Sequence, residues 1–399
     1  MKSLSAPSPT SASDQPNCLL PYAHQVVTEV DVGAVDRVLR SEWLTTGPEV
    51  EQFEAALAAR VEARYAVAFT SGTAALHAAT VAAGVAAGDE GVTTPLTFCA
   101  TANCLLFAGA RPVFADVEES HLTIDPSEVV KRLTRRTKVV LPVDYGGHPA
   151  QLDALRSLAR HRGLLVIEDA CHALGAADRG RKVGTISDIT VFSFHPVKHI
   201  TTGEGGMAVT NHAGLARRLR QFRNHGIIRS RRDSVKRPWY YEMITLGYNY
   251  RIPDVLCALG RSQLMRLEGN LARRRAIAEQ YTQALGALPG VRVPTVRPGA
   301  SPAWHLYPVR IDGRLTGIGR DEAIRQLRAQ GVGATVHYIP VTQHPYYRKR
   351  FGYRRGDFPV AERAFRQLIT LPLFHGMAET DVHNVIAVVT HTLTHGGSS

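Results

Sequence analysis

The chain has 399 residues, 44% of them hydrophobic and 21% charged, an ordinary globular composition with material for two full cores. No run of about 18 apolar residues occurs, so no membrane span is expected, and five scattered cysteines (Cys18, Cys99, Cys104, Cys171, Cys257) without a CxxC pair argue for reduced thiols in a cytoplasmic protein rather than a disulfide frame or zinc site. The net charge of +12 asks for an acidic partner: nucleic acid, a membrane surface or a phosphorylated small molecule.

Residues 1–15 are rich in Ser, Pro and Ala and lack an apolar h-region, so they read as a disordered tail and not a signal peptide. Val32, Val35, Val38 and Leu39 predict an amphipathic helix from about Thr28 to Ser41. The loop Glu42-Trp43-Leu44-Thr45-Thr46-Gly47 leads into a second helix, Pro48 to Ala63. A short strand from Tyr65 then runs into Ser71-Gly72-Thr73, which opens an Ala-rich helix. A helix N-terminus offers free N–H groups and a positive dipole end, so this turn can cup a phosphate. Ser and Thr are also common plain caps.

Further β-α units follow: a strand Val92 to Thr94, a helix Thr101 to Ala108, a strand Arg111 to Asp116, and a unit spanning Pro126 to Asp144. Phe98, between the first two, is either core or a ring that stacks on a flat heterocycle. Leu152 to Arg162 reads as helix, and Leu164 to Ile167 as a strand covered on both faces. That strand ends in Glu168-Asp169-Ala170-Cys171-His172, where α/β folds bind ligands. A buried strand Ile189 to Phe194 runs into His195-Pro196-Val197-Lys198 and a turn of hydroxyls and glycines. A lysine in such a place suits a Schiff-base site, because partial burial favours the neutral amine.

After a strand Met207 to Thr210 and a helix Leu215 to Phe222 comes an Arg-rich stretch with Arg229, Arg231, Arg232, Lys236 and Arg237, either a solvated loop or a diphosphate grip. Asp254 is expected to cap one long helix, Val255 to Leu285. Beyond it the expected order is strand (His305–Ile311), helix (Arg320–Gln330), strand (Gly333–Tyr338) and a final helix (Glu379–Leu393). The expectation is an α/β fold: a disordered tail over 1–15, a large domain over 16–265 with a mostly parallel sheet between helices, and a smaller α+β domain over 266–399.

An aldehyde cofactor held by a lysine needs a phosphate site at a helix start, a carboxylate against its ring nitrogen and an aromatic on its face. Pyridoxal phosphate uses all of these. The segments 70–76, 168–175, and 193–198 through Glu204-Gly205-Gly206 resemble the nucleotide-sugar aminotransferases of the DegT/StrS group, fold-type I pyridoxal phosphate enzymes, and the likeness runs from about Pro21 to the C-terminus. His195 to Thr202, Arg223 to Ile227, Leu246 to Arg251 and Val336 to Pro340 place the resemblance closest to the pseudaminic acid branch, which aminates C4 of a UDP-4-keto-6-deoxy-N-acetylhexosamine.

The resemblance implies Lys198 as the Schiff-base lysine, Asp169 at the ring nitrogen and His172 beside the ring. It implies Gly72, Thr73 and Ser193 on the phosphate and Phe98 stacked on the ring. Asn224 would reach the phosphate in a neighbouring subunit, giving a homodimer with shared active sites. Tyr22, Glu42, Trp43, Leu44, Thr45, Asn249, His337 and Tyr338 match substrate-contacting positions, with Arg229 and Arg231 as weaker diphosphate candidates. L-glutamate would be the amino donor. Alternatives are an aminotransferase for another keto sugar (dTDP-4-keto or 3-keto) and a non-catalytic, cofactor-binding regulator. A DNA-binding protein would need a reading element or stacking aromatics among its basic residues, and none is recognisable. His195 and His199 lack the HExxH glutamate, so no metal site is expected.

Overall fold

The computed structural model describes residues 19–229 and 237–396. The tail expected over 1–15, Cys18 and Arg231 lie outside the described residues.

A seven-stranded sheet forms the centre of the molecule. Its strands are β1 (Tyr65–Phe69), β2 (Glu90–Thr93), β3 (Arg111–Phe114), β4 (Thr137–Leu141), β5 (Leu165–Asp169), β6 (Ile189–Ser193) and β7 (Gly206–Thr210). They lie in the order β1-β7-β6-β5-β4-β2-β3. All neighbours pair in parallel except β7, which runs antiparallel to both β1 and β6. The helices preceding or linking them are α1 (Glu29–Leu39), α2 (Pro48–Val61), α3 (Gly72–Ala82), α4 (Cys99–Phe107), α5 (Pro126–Arg132), α6 (Leu152–His161), α7 (Ala213–Arg223), α8 (Asp254–Leu264) and α9 (Leu267–Leu285).

Alternation along β6 explains why both faces are covered. Ile189 and Val191 pack with Leu76 of α3 and Leu219 of α7. Phe192, on the other face, packs with Phe53 and Leu57 of α2 and Leu271 of α9. Each such side chain, fully buried, contributes about 1.5–3 kcal/mol. The fold is thus the expected α/β sandwich, and the carboxyl ends of β1, β5 and β6 meet at one edge.

A second, three-stranded antiparallel sheet pairs Val291–Arg292, Tyr307–Ile311 and Leu368–Leu371. Ile277, Tyr281 and Leu285 of α9, Leu327 of helix Arg320–Ala329 and Val389 of helix Glu379–His395 pack with its Tyr307, Val309 and Leu371. Helix α9 serves both units, since its Leu267 and Leu271 belong to the first core.

Three expected elements differ. The single helix expected over Val255 to Leu285 breaks at Met265–Arg266, where Arg266 leaves helical geometry at φ −100° and ψ 2°. The buried Asp31 carboxylate of α1 fixes that joint by accepting from Ser262, Gln263 and Arg266 at 2.6, 2.9 and 2.6 Å. Asp254 does not cap its own helix. Its carboxylate accepts from Gly47 N (2.8 Å) and Glu49 N (2.9 Å), capping α2 instead. The strand expected over Gly333 to Tyr338 holds a lone bridge, Thr335 to Thr370, because Gly333 N is taken by Leu20 O and His337 and Tyr338 turn into a cavity.

Candidate active site

The cavity lies at the shared edge of β1, β5 and β6 and has a volume of about 500 Å³. Three turns build it. Beyond β6, Lys198 N donates to His195 O, and Thr202 N and Thr201 Oγ1 both reach Phe194 O, folding the lysine back over the strand end. Beyond β5, Asp169 presents its carboxylate. Beyond β1, Ser71 caps α3 by accepting from Ala74 N at 3.1 Å, which leaves the first N–H groups of the helix facing the cavity. Gly206 pairs with both Ser193 and Phe69 and lies so close to this turn that a Cβ there would stand 2.5 Å from Gly72 N.

Asp169 is aimed by α4. Its Oδ2 accepts from Thr101 Oγ1 at 2.7 Å, and Thr101 is hydrogen-bonded to Thr97 at 2.8 Å. His172 shares a 3.0 Å hydrogen bond with Tyr338 OH through Nε2, while its buried Nδ1 has no partner among the described residues. Burial holds the His172 imidazole well below its ordinary range, and the Lys198 charge adds to this. Burial also pushes the Lys198 amine down, against the opposing pull of Cys171 and Asp169.

The residues expected at the site fall into two groups. Tyr22, Gly72, Thr73, Phe98, Asp169, His172, Ser193, Lys198, His337 and Tyr338 line the one cavity. Phe98 is 56% exposed, with its ring 6.1 Å from Tyr338. The Tyr22 ring lies tilted at 4.9 Å from that of His337, whose carbonyl accepts from Tyr145 OH. Glu42, Trp43, Leu44, Thr45, Asn224, Arg229 and Asn249 do not line it. Glu42 to Thr45, Arg229 and Asn249 are exposed, and Asn224 Oδ1 accepts from Arg251 at 2.6 Å. The structure adds residues the sequence did not single out: Thr97, Thr101, Glu204 and His305. His305 has no local signal, since it arrives from 107 residues beyond Lys198.

A buried amine, a carboxylate at a strand end and an open helix N-terminus in one pocket are the parts a pyridoxal phosphate enzyme needs. Residues 26–390 match the DegT/DnrJ/EryC1/StrS aminotransferase family, and the chain belongs to it. It is 42% identical over 376 residues to the spore coat polysaccharide biosynthesis protein SpsC of Bacillus subtilis, covering 94% of this chain and 97% of that one. Among solved structures it resembles PseC of Helicobacter pylori, an aminotransferase of pseudaminic acid biosynthesis, at 30% identity and TM-score 0.88, covering 94% and 99% of the two chains. It also resembles the sugar aminotransferase Spr1654 of Streptococcus pneumoniae in its pyridoxal phosphate form, at 27% identity and TM-score 0.88, covering 96% and 100%. The protein is a pyridoxal phosphate-dependent sugar aminotransferase.

The residues present fit that cofactor. Gly72 leaves a cradle against Ser193, where a Cβ would lie 3.0 Å from the Ser193 Cβ, and the orphaned His172 Nδ1 lacks a polar partner inside the cavity. Among the described residues no helix is long and apolar enough to cross a membrane.

Proposed function

We propose that the enzyme moves an amino group from L-glutamate to C4 of a UDP-4-keto-6-deoxy-N-acetylhexosamine, giving the 4-amino sugar nucleotide. The observation that carries this reading is the convergence of Lys198, Asp169 and the α3 N-terminus on one cavity whose outer wall is Tyr22, His337 and Tyr338. The likeness to PseC, an aminotransferase of pseudaminic acid biosynthesis, supports the choice of sugar.

Bound pyridoxal phosphate supplies an aldehyde for the amine and an electron-withdrawing ring. Lys198 would hold the aldehyde carbon, Asp169 the ring nitrogen, and Gly72, Thr73 and Ser193 the phosphate. His172 and Phe98 would flank the ring. Asp169, fixed by Thr101, would keep a proton on that nitrogen. Lys198 Nζ would take up and return the proton at the carbon that loses or gains the amino group, and burial, which lowers its pKa, shifts it toward the neutral amine this requires.

We propose further that the enzyme is a homodimer with shared sites. Trp239 (75% exposed), Met243 and Leu246 (70%) form an apolar surface on the segment that precedes Asn249, and Trp43 and Leu44 expose apolar surface in the loop before α2. Trp43, Leu44 and Asn249 are among the expected contacts that the cavity of their own chain leaves out.

The test is turnover of the UDP-4-keto sugar with L-glutamate, the amino sugar being read by mass spectrometry. Lys198→Ala is expected to lose at least about 10³-fold in kcat. Steady turnover by Lys198→Ala would overturn the lysine assignment, and preference for a dTDP-keto sugar would overturn the substrate.

A further inference from the structure

His305 lies 3.3 Å from the Lys198 amine through Nε2. It is fully enclosed, and its Nδ1 has no hydrogen-bond partner among the described residues. The contact is built from two sides. Lys198 meets His305, and the next residue, His199, bonds through Nε2 to Ala303 O at 3.0 Å. The segment carrying them is clamped from the other side: Ala303 N donates to Gly147 O and Leu306 N to Gly146 O. A Cβ on Gly147 would stand 2.8 Å from Trp304 N and 3.0 Å from His305 N, so only glycine lets the clamp close, at φ +100°.

The surroundings limit this pair to one extra proton. It faces His172, His199 and His337, the Tyr338 hydroxyl through His172, Arg274, and, on the acidic side, the Asp169 carboxyl and the Cys171 thiol, whose pKa burial raises. Arg274 is wholly buried, donates to the Trp304 and Leu373 carbonyls, and has no carboxylate partner among the described residues. Two buried cations 3.3 Å apart repel strongly, so Lys198 and His305 are not charged together. When Lys198 carries the proton, a neutral His305 can only accept.

We propose that His305 is a positioning residue: its Nε2 accepts from the Lys198 ammonium and holds the amine in place between proton transfers. No protein carbonyl, hydroxyl or carboxylate oxygen is within hydrogen-bond reach of Nζ among the described residues, so this contact sets where the freed amine rests.

The inference rests on Lys198 being the reactive amine, and its test uses cofactor-free protein so that the two ideas fail separately. His305→Gln reaches the position of Nε2, whereas His305→Asn stops at that of Nδ1. Competitive reductive methylation of Lys198 across pH, read by mass spectrometry, gives the midpoint of its protonation. The asparagine variant loses the acceptor, so its midpoint is expected to fall by about one pH unit, a tenfold loss in proton affinity, with the glutamine variant near wild type. In the loaded enzyme the asparagine variant is expected to lose about 10²-fold in kcat with KM for glutamate unchanged, and glutamine to recover most of it. A wild-type midpoint in the asparagine variant, or two variants that behave alike, overturns the proposal. Turnover by Lys198→Ala would sink the lysine assignment and leave the measured midpoint standing.

Discussion

At the scale of single residues, the protein hides many histidines as neutral rings. Burial pushes His77, His148, His337 and His375 down to about 4. Their unfolded counterparts titrate near 6.5, so between pH 6.5 and 4 the unfolded chain binds protons that the folded chain refuses. These groups therefore leave stability intact above that window and remove it as pH falls, at up to about 1.4 kcal/mol per pH unit for each histidine. Thermal melts from pH 7 to 5 are expected to show a steep fall in Tm. His77→Gln, which removes a ring packed against Phe107, Phe222 and Tyr248, should flatten the slope while lowering Tm at pH 7. An unchanged slope would show that His77 takes up its proton as readily in the folded as in the unfolded protein.

At the scale of elements, the join between β7 and α3 shapes the end of the cavity proposed to take the phosphate. Gly206 must stay small not for its φ but because the Ser71–Gly72 backbone passes 2.5 Å from where its Cβ would be. Gly206→Ala should displace the start of α3, costing about 1–3 kcal/mol of stability. Cofactor affinity, titrated by absorbance, should weaken by tenfold or more, and a normal affinity would place the phosphate elsewhere. The approach of Gly206 from β7 was not readable beforehand, since it comes from far along the chain, whereas the turn from β1 into α3 was, because its parts are contiguous: strand, Ser-Gly-Thr, helix. The same holds for Asp169 at the end of an apolar strand and Lys198 beyond another. The break at Met265 was not readable, since helical periodicity runs through it and the carboxylate that fixes it, Asp31, sits far away in α1. Asp254 misled for a similar reason: a residue at a helix start looks like that helix's cap, while its true partners are the N–H groups of Gly47 and Glu49.

At the scale of the whole molecule, the resemblance supplied site residues that the cavity of one chain does not gather. Asn224, Asn249 and the Glu42 to Thr45 loop make sense as contributions to a second copy, which no periodicity in one chain reveals. A mixing experiment separates the readings. Lys198→Ala and Asn224→Ala, each impaired alone, should recover activity when co-refolded, because half of the dimers would be mixed and each would rebuild one native site. Roughly a quarter of wild-type activity is expected from this symmetry. Activity no higher than the mean of the two variants would mean that Asn224 serves its own chain.

The wall residue Tyr22 has a practical consequence. Its carbonyl accepts from Leu373 N, and Leu20 pairs on both sides with the Gly331–Gly333 backbone, so the start of the described chain is tied to the loops beside the second sheet while Tyr22 lines the cavity. The choice of start codon or affinity-tag junction is therefore also a choice about the cavity: cutting into residues 20–22 edits its wall as directly as a point substitution.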